Sequence, residues 1–386
     1  MQAKIESVSV RVFKTLSWTV NDSDGHTHPG PERASESAIV TVRDSDGAEG
    51  HYSCSAEALR PYVLDSYVRK VLIGEDAFLR ERHWNRLYRM QRGSGGQLTD
   101  RAIGYIDQAL WDLAGRKLNV PVWKMLGGAR TKVPAYGSTM CGDDIEGGLK
   151  TPADYGRFAE QLIAMGYSAI KLHTWMPPVP GAPDPDMDAA ACAAVREAVG
   201  PDVPLMLDAN HWYTRFQALK LGRALQDLNY YWYEEPMEEA SISSYRWLAE
   251  QLEIPVIGPE SAPGRVHTRA EWISSGACDI MRVGANDTGG ITPAIKIIHL
   301  ADAYNMEAEV HGGGSGNLAL LGAMENGRWY ERGLLHPHFD YDRVPPHRNS
   351  IIDPLDAEGN VPLPERPGLG DDFNFDYIDA NIVARW

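Results

Sequence analysis

The sequence predicts a closed barrel of parallel strands and outer helices behind an α+β module, and three observations predict it. The apolar, strand-like runs PLMLDAN (204–210), NYYWYEEP (229–236) and IPVIGPES (254–261) each stop on an acid: Asp208, Glu234 and Glu260. These acids are evenly spaced, 26 residues from each to the next, and one strand, its crossover helix and the return to a parallel strand take about 30 residues. Between the first two, RFQALKLGRALQDL carries Phe216, Leu219, Leu225 and Leu228 at helical spacing.

The elements before the acids read in order. Residues 4–14 and 37–43 alternate polar with apolar as half-buried strands, the second entering the turn DSDG at 44–47. Between them NDSDGHTHPGPERAS (21–35) is rich in turn formers and reads as a loop, with His26 and His28 in it. Two such histidines are solvent-facing by default; the alternative is a flap reaching over a neighbouring active site. A second short loop, HYSCSAEA (51–58), is placed to face the same opening. From about 60 to 126 the pattern is helical. Thr99 or Asp100 is the candidate N-cap of a helix whose stripe is Ile103, Ile106, Leu110 and Leu113. Residues 1–130 are therefore expected to form an α+β capping module.

An alternating βα pattern then begins at TKVPAYGST (131–139). It continues through the helix PADYGRFAEQLIAMG and the strand YSAIKLH (167–173). The proline-rich insert TWMPPVPGAPDPDM follows, read as a loop at the barrel mouth. Helix DAAACAAVREAVG leads to Asp208. Past Glu260 come helix RAEWISSG, strand CDIMRVG, helix GGITPAIKIIHLADAYN and strand MEAEVH, enough for seven or eight barrel strands over 131–335. The tail from 336 has no further barrel period and is expected to pack back on the first module.

Composition bounds the function. With 43% hydrophobic residues, 25 Pro and 37 Gly the chain is an ordinary packed α/β protein. A formal charge of −16 argues against nucleic acid or an anionic membrane as partner. Cys54, Cys141, Cys192 and Cys278 are scattered without CxxC pairing, as in reduced, cytoplasmic proteins. The alternating N-terminus is no signal peptide, and no apolar run approaches a membrane span.

The chemistry follows from the acids. Residues at the C-terminal ends of neighbouring barrel strands converge on one mouth. Three carboxylates there repel and raise one another's pKa, and a divalent cation resolves the repulsion. An all-oxygen donor set calls for a hard octahedral ion, Mg²⁺. Each acid alone reads as a helix cap or surface charge; three at one interval point to metal. Lys171 and His173, two apart on a strand, share a face beside Asp208. A buried lysine near a cation is expected to have a depressed pKa and to serve as base or as partner of a substrate carboxylate. Without the metal they read equally well as a strand-end ion pair and a core histidine. His311 ends MEAEVH about two βα units past Glu260. It opens HGGGSG, read as a flexible connection or an anion cradle. Asn210 shares the face of Asp208 and is a candidate donor to a substrate hydroxyl.

The ordered series QALWDLAGRKLNVPVWKMLGG, LDAN, YEEP, GPES, GGIT, a strand-end histidine and WYER resembles the mandelate racemase subgroup of the enolase superfamily over essentially the whole chain. The resemblance implies a modified (β/α)7β barrel, an α+β cap completed by residues 336–386, and one Mg²⁺ per subunit on Asp208, Glu234 and Glu260. It also implies a Lys or His base working against an ene-diolate. Where the subgroup often carries Lys-x-Lys this chain has Lys171-Leu172-His173, so His173 falls on the base position and Lys171 on the lysine that assists the carboxylate. His311 matches the second acid/base. Its usual aspartate falls on Gly284, which leaves His311 expected to be a weaker base, with Asp287 the nearest acid but beyond the strand end. Glu331 of WYER matches a carboxylic acid that hydrogen-bonds the developing enolate.

The implied activity is dehydration of a sugar acid by a homo-oligomeric lyase. The proton beside the carboxylate is removed, and water is eliminated to leave a 2-keto-3-deoxy acid. A cycloisomerase or epimerase acting through the same ene-diolate, a divalent-metal hydrolase and a non-catalytic sugar-acid-binding barrel are the alternatives.

Overall fold

The computed structural model describes residues 3–209 and 211–386. The chain opens with a long antiparallel ribbon, β1 (Ile5–Asn21) and β2 (Thr27–Asp44), followed by β3 (Glu49–Cys54). Most of the loop expected at 21–35 is therefore strand. Only the turn around Asp22–Gly25 is irregular, and Pro29 sits opposite Thr19 within the ladder. The prolines hid this stretch: the distal half of the ribbon has unpaired edges, where a missing N–H is tolerated. The loop expected at 51–58 likewise begins as strand, since β3 runs to Cys54.

The helical layer consists of α1 (Pro61–Val63), a π-helical turn (Leu64–Val68), α2 (Arg69–Leu72), α3 (Arg80–Gln91), α4 (Asp100–Leu118) and α5 (Val122–Met125). Thr99 caps α4, its hydroxyl accepting from the Ala102 N–H at 3.1 Å. The stripe Ile103, Ile106, Leu110 and Leu113 is fully buried. β3 lies directly on this helix: a Cβ at Gly50 would stand 2.2 Å from the Ala109 carbonyl oxygen and 2.3 Å from the Leu113 nitrogen. Only glycine allows that approach.

The barrel alternates β4 (Lys132–Thr139), α6 (Pro152–Ala164), β5 (Ala169–His173), α7 (Pro185–Val199), β6 (Leu205–Asp208), α8 (Arg215–Asp227), β7 (Trp232–Glu234), α9 (Ile242–Ala249), β8 (Val256–Gly258), α10 (Arg265–Ser275), β9 (Ile280–Val283), α11 (Ile291–Ala303), β10 (Ala308–Val310), α12 (Ser315–Ala323) and β11 (Tyr330–Leu335). Among the described residues these strands are parallel neighbours in the order β10-β9-β8-β7-β6-β5-β4-β11. The seam between β10 and β11 is bridged by a side chain. The Glu309 carboxylate accepts from the backbone N–H groups of Arg328 (2.8 Å) and Trp329 (3.0 Å).

Two local expectations need correction. α7 starts inside the insert at Pro185, because proline suits the first helical position and Asp184 caps the helix, accepting from the Asp186 N–H at 2.9 Å. Phe216, one of the apolar positions whose spacing marked α8, is 80% exposed, whereas Leu225 is buried; it occupies the first turn of the helix.

The tail returns to the first module. After β12 (Asn360–Pro362) and α13 (Phe375–Ala380), β13 (Ile382–Arg385) pairs antiparallel with β1. Arg348 donates to Ser53 at 3.1 Å, and the Trp386 indole donates to the Leu59 carbonyl at 2.7 Å. No described helix is long and apolar enough to cross a membrane.

Candidate active site

The two-residue period of the barrel strands stacks a charged layer on an apolar floor. Tyr136, Ala169, Met206, Trp232, Ile257, Ile280 and Trp329 form one buried cluster, one residue from each of seven strand segments. Two positions further on stand Ser138, Lys171, Asp208, Glu234, Arg282 and Glu331, all buried. β8 breaks the rule: it ends at Gly258, and Glu260 follows three positions after Ile257 with a side chain 16% exposed.

Asp208, Glu234 and Glu260 each present a carboxylate oxygen within 4.8 Å of the other two. The Oε2 of Glu234 accepts from Lys171 (3.1 Å) and from the Trp232 indole (3.0 Å). Its Oε1 is buried without a hydrogen bond; the Arg282 Nε lies 2.7 Å away but misaligned for one. The Glu260 carboxyl is pushed up to about 8, first by burial and then by the charges of Asp208 and Glu234, against the opposing pull of His311. An oxygen without a hydrogen bond and a carboxyl forced toward neutrality fit the coordination of a hard divalent cation.

Lys171 and His173 flank one side. The Lys171 Nζ lies 2.9 Å from Glu331, 3.1 Å from Glu234 and 3.2 Å from Asp208. The expected depression of its pKa is reversed. Burial pulls it down, but the carboxylates outweigh burial and hold it well above the usual lysine value. His173 is oriented by β4, its Nδ1 standing 2.8 Å from the Thr139 carbonyl. A carbonyl only accepts, so Nδ1 carries a proton and Nε2 faces the site, 3.1 Å from Asp208.

His311 stands on the other side, and here the expectation of an unsupported base fails. Its Nδ1 meets the Asp287 carboxylate at 2.7 Å, and its Nε2 meets Glu260 at 3.0 Å. The aspartate stands four residues past the end of β9, three past Gly284, and Gly284 makes room for it: a Cβ there would stand 2.7 Å from Asp287 Oδ2. Burial lowers the His311 pKa, but Glu260 and Asp287 override it and raise it to about 9. The HGGGSG connection is neither loose nor an open cradle. Gly312 N–H donates to Glu331 (2.8 Å), Gly314 N–H to Tyr330 (2.8 Å), and Asn317 donates to the His311 carbonyl (2.7 Å).

Glu331 is surrounded by donors: Ser138 (2.9 Å), Lys171 (2.9 Å), Arg282 (2.8 Å) and the Gly312 amide. Despite burial, Lys171 and Arg282 hold its carboxyl well below the usual range. That environment favours the charged form, whereas WYER led to the expectation of a hydrogen-bond-donating acid. Arg282 itself went unremarked in the sequence. The signal was a lone cation two positions after Ile280 in CDIMRVG, since a charge inside a buried strand needs partners.

His26 and His28 both rest on Asp22 Oδ2, each at 3.1 Å, which ties them to the tip of the ribbon. That tip overhangs the mouth. A cavity of about 440 Å³ is lined by Trp18, Thr19 and Thr27 from the ribbon and by Met140 and Gly333 at the ends of β4 and β11. None of the three acids lines it, and neither histidine does. Asn210 lies outside the described residues.

A barrel whose mouth gathers three acids, a buried lysine and two oriented histidines defines a metal-dependent acid/base enzyme. Residues 154–377 match the enolase C-terminal domain-like family, and residues 27–127 match the mandelate racemase / muconate lactonizing enzyme N-terminal domain. The chain belongs to this group of the enolase superfamily. It is 30% identical to arabinonate dehydratase of Saccharolobus solfataricus, over 94% of this chain and 95% of that one. It is also 30% identical to D-galactarolactone cycloisomerase of Agrobacterium fabrum, over 88% and 89%. A crystal structure of D-glucarate dehydratase from Agrobacterium tumefaciens complexed with magnesium superposes with a TM-score of 0.98 at 58% identity, covering 100% of both chains.

Proposed function

We propose that this protein is a Mg²⁺-dependent acid-sugar dehydratase acting on a hexarate such as D-glucarate, converting it to a 2-keto-3-deoxy acid. The observation that carries the reading is the three-acid cluster between two oppositely placed histidines, each held by its own second partner. Asp208, Glu234 and Glu260 would hold the ion, which supplies positive charge against a substrate carboxylate as it gains electron density.

The chain's own groups divide the remaining work. Lys171, kept charged by its carboxylate neighbours, is the fixed cation for the substrate carboxylate. His173, with Nδ1–H anchored on Thr139, presents Nε2 to the site beside Asp208 and takes the α-proton there. The C–H electrons become the double bond of the ene-diolate. That bond's electrons then expel the 3-hydroxyl, and His311 Nε2–H protonates it so that water leaves. Asp287 steadies the imidazolium that makes the donation. The enol then tautomerises to the ketone. The ribbon tip with His26 and His28 covers the substrate's far end in this reading, and the subunits assemble as a homo-oligomer.

A second reading is favoured by the similarity to D-galactarolactone cycloisomerase: the same ene-diolate expels a ring oxygen instead of hydroxide, and no water is lost. The test incubates the protein and Mg²⁺ with D-glucarate, galactarate, arabinonate, gluconate and galactarolactone, and analyses products by NMR. Keto-acid formation from a hexarate is expected. Ring opening of the lactone without dehydration of any acid would replace the first reading with the second, and inertness toward all five would overturn both.

A further inference from the structure

Arg282 lies inside the barrel in the same layer as Asp208 and Glu234, with no exposed surface. Its guanidinium reaches four other strands. Nε lies 2.7 Å from Glu234 on β7, Nη2 is 2.8 Å from Glu331 on β11 and 3.1 Å from the Tyr136 hydroxyl on β4, and Nη1 donates to the Val310 carbonyl at 3.1 Å, one residue before His311. Packing alone does not call for an arginine here. The floor below is apolar and aromatic, and a buried ion pair is often matched or bettered in stability by an apolar residue of similar volume. What an apolar residue cannot supply is one planar fork touching a candidate metal ligand, the carboxylate beside Lys171 and the strand end that carries His311.

Charge gives the arginine a second consequence. Among the described residues the layer holds four carboxylates (Asp208, Glu234, Glu260 and Glu331) against two permanent cations, Lys171 and Arg282. The excess of two negative charges is what a divalent ion balances. Without Arg282 the excess is three, and Glu331 loses its bond to the guanidinium while keeping the one to Lys171.

We propose that Arg282 is a positioning residue for the reaction, fixing Glu331 and the strand end before His311 while its charge restrains the acid rim's grip on a divalent ion. The inference rests on reading Asp208, Glu234 and Glu260 as the metal ligands. In Arg282→Met, Glu234 keeps its place, because its Oε2 still accepts from Lys171 (3.1 Å) and Trp232 (3.0 Å). The loss of a positive charge beside Oε1 therefore tightens metal binding. Turnover falls, because Glu331 draws Lys171 away from the substrate and the His311 strand loses its tether.

The test is calorimetric titration of the substrate-free protein with MgCl₂, paired with steady-state kinetics. Arg282→Met is expected to bind Mg²⁺ at least about tenfold more tightly while kcat falls about a hundredfold and KM changes less. A purely structural arginine would differ in the sign of the metal effect, since a loosened site weakens metal binding and turnover together. Arg282→Lys keeps the charge and loses the fork. It should bind Mg²⁺ within about threefold of the parent yet lose at least about tenfold in kcat. If Arg282→Met does not fold, the lysine variant decides alone, and parental kcat in it overturns the proposal. Weaker or unchanged Mg²⁺ binding in folded Arg282→Met overturns it as well. Failure of the parent protein to bind Mg²⁺ would instead refute the metal reading beneath it.

Discussion

Alanine at Gly284 should disable His311 without touching it. The added Cβ would stand 2.7 Å from Asp287 Oδ2 and 3.1 Å from the His311 carbonyl. Asp287 has little freedom to yield, being held by His311 at 2.7 Å and faced by Arg101 at 3.5 Å. A carbon–oxygen contact relaxes at about 3.3 Å or beyond, so the carboxylate must retreat by roughly half an ångström. That stretches a charge-assisted hydrogen bond worth about 1.5–3 kcal/mol. At about 1.4 kcal/mol per decade of rate, Gly284→Ala should cost roughly tenfold in kcat and Asp287→Ala roughly a hundredfold. If the glycine matters only by making room for the aspartate, the double variant should be no worse than Asp287→Ala, giving a coupling of about 1.4 kcal/mol. The assay is kcat for keto-acid formation by the four proteins of this cycle. Strictly additive losses, or an Asp287→Ala enzyme within about threefold of the parent, would refute the reasoning. The pH profile adds a sign. Asp287 is one of the charges that lift His311 to about 9, so its removal should shift the alkaline limb of kcat to lower pH, where the donor proton is lost earlier.

Three further outcomes follow from the same structure. His311→Asn should lower dehydration by about 10²-fold or more while solvent deuterium still enters at the α-carbon; loss of both would mean His311 is the base. His51, buried in the ribbon sheet, has its pKa pushed down to about 3 by burial and by the Arg116 and Arg11 charges. Between that value and its unfolded pKa near 6.5, the unfolded chain binds the extra proton, so this stability is complete above about pH 6.5 and drains away as pH falls. From pH 7 to 5 the parent should lose about 2 kcal/mol more than His51→Gln in denaturant titrations, and equal losses would remove the histidine from the account. Gly50→Ala should destabilise the cap by about 3 kcal/mol or more, since its Cβ meets backbone and no flexible side chain, and an unchanged melting temperature would contradict this.

The sequence disclosed what depends on period and on strand ends. Asp208, Glu234 and the pair Lys171/His173 lie where the two-residue alternation places them, because a parallel strand fixes both face and end, while Glu260 keeps the even spacing but stands beyond the end of β8. Misreadings arose where a side chain's meaning depends on what crosses from elsewhere. Asp287 lay past its strand, and nothing local reveals that Gly284 clears space for it. Lys171 stayed open as base or as partner of a substrate carboxylate, because the carboxylates beside it come from three other strands. The cations that face Glu331, Lys171 and Arg282, likewise come from other strands. Arg282 was visible only as a charge out of place in an apolar run. At the ribbon, Pro29 and Pro31 argued for a loop, yet an unpaired edge tolerates them.

The measurement that bears most directly on the account follows a hexarate by NMR in D₂O, with Mg²⁺ titrated from zero against metal-stripped protein and the Glu234→Gln variant run at saturation. Loss of the α-proton signal should rise with occupancy of one ion per chain, vanish with chelator, and stay absent in Glu234→Gln at every Mg²⁺ concentration. Proton loss at an undiminished rate in metal-stripped protein, or in that variant, would contradict it.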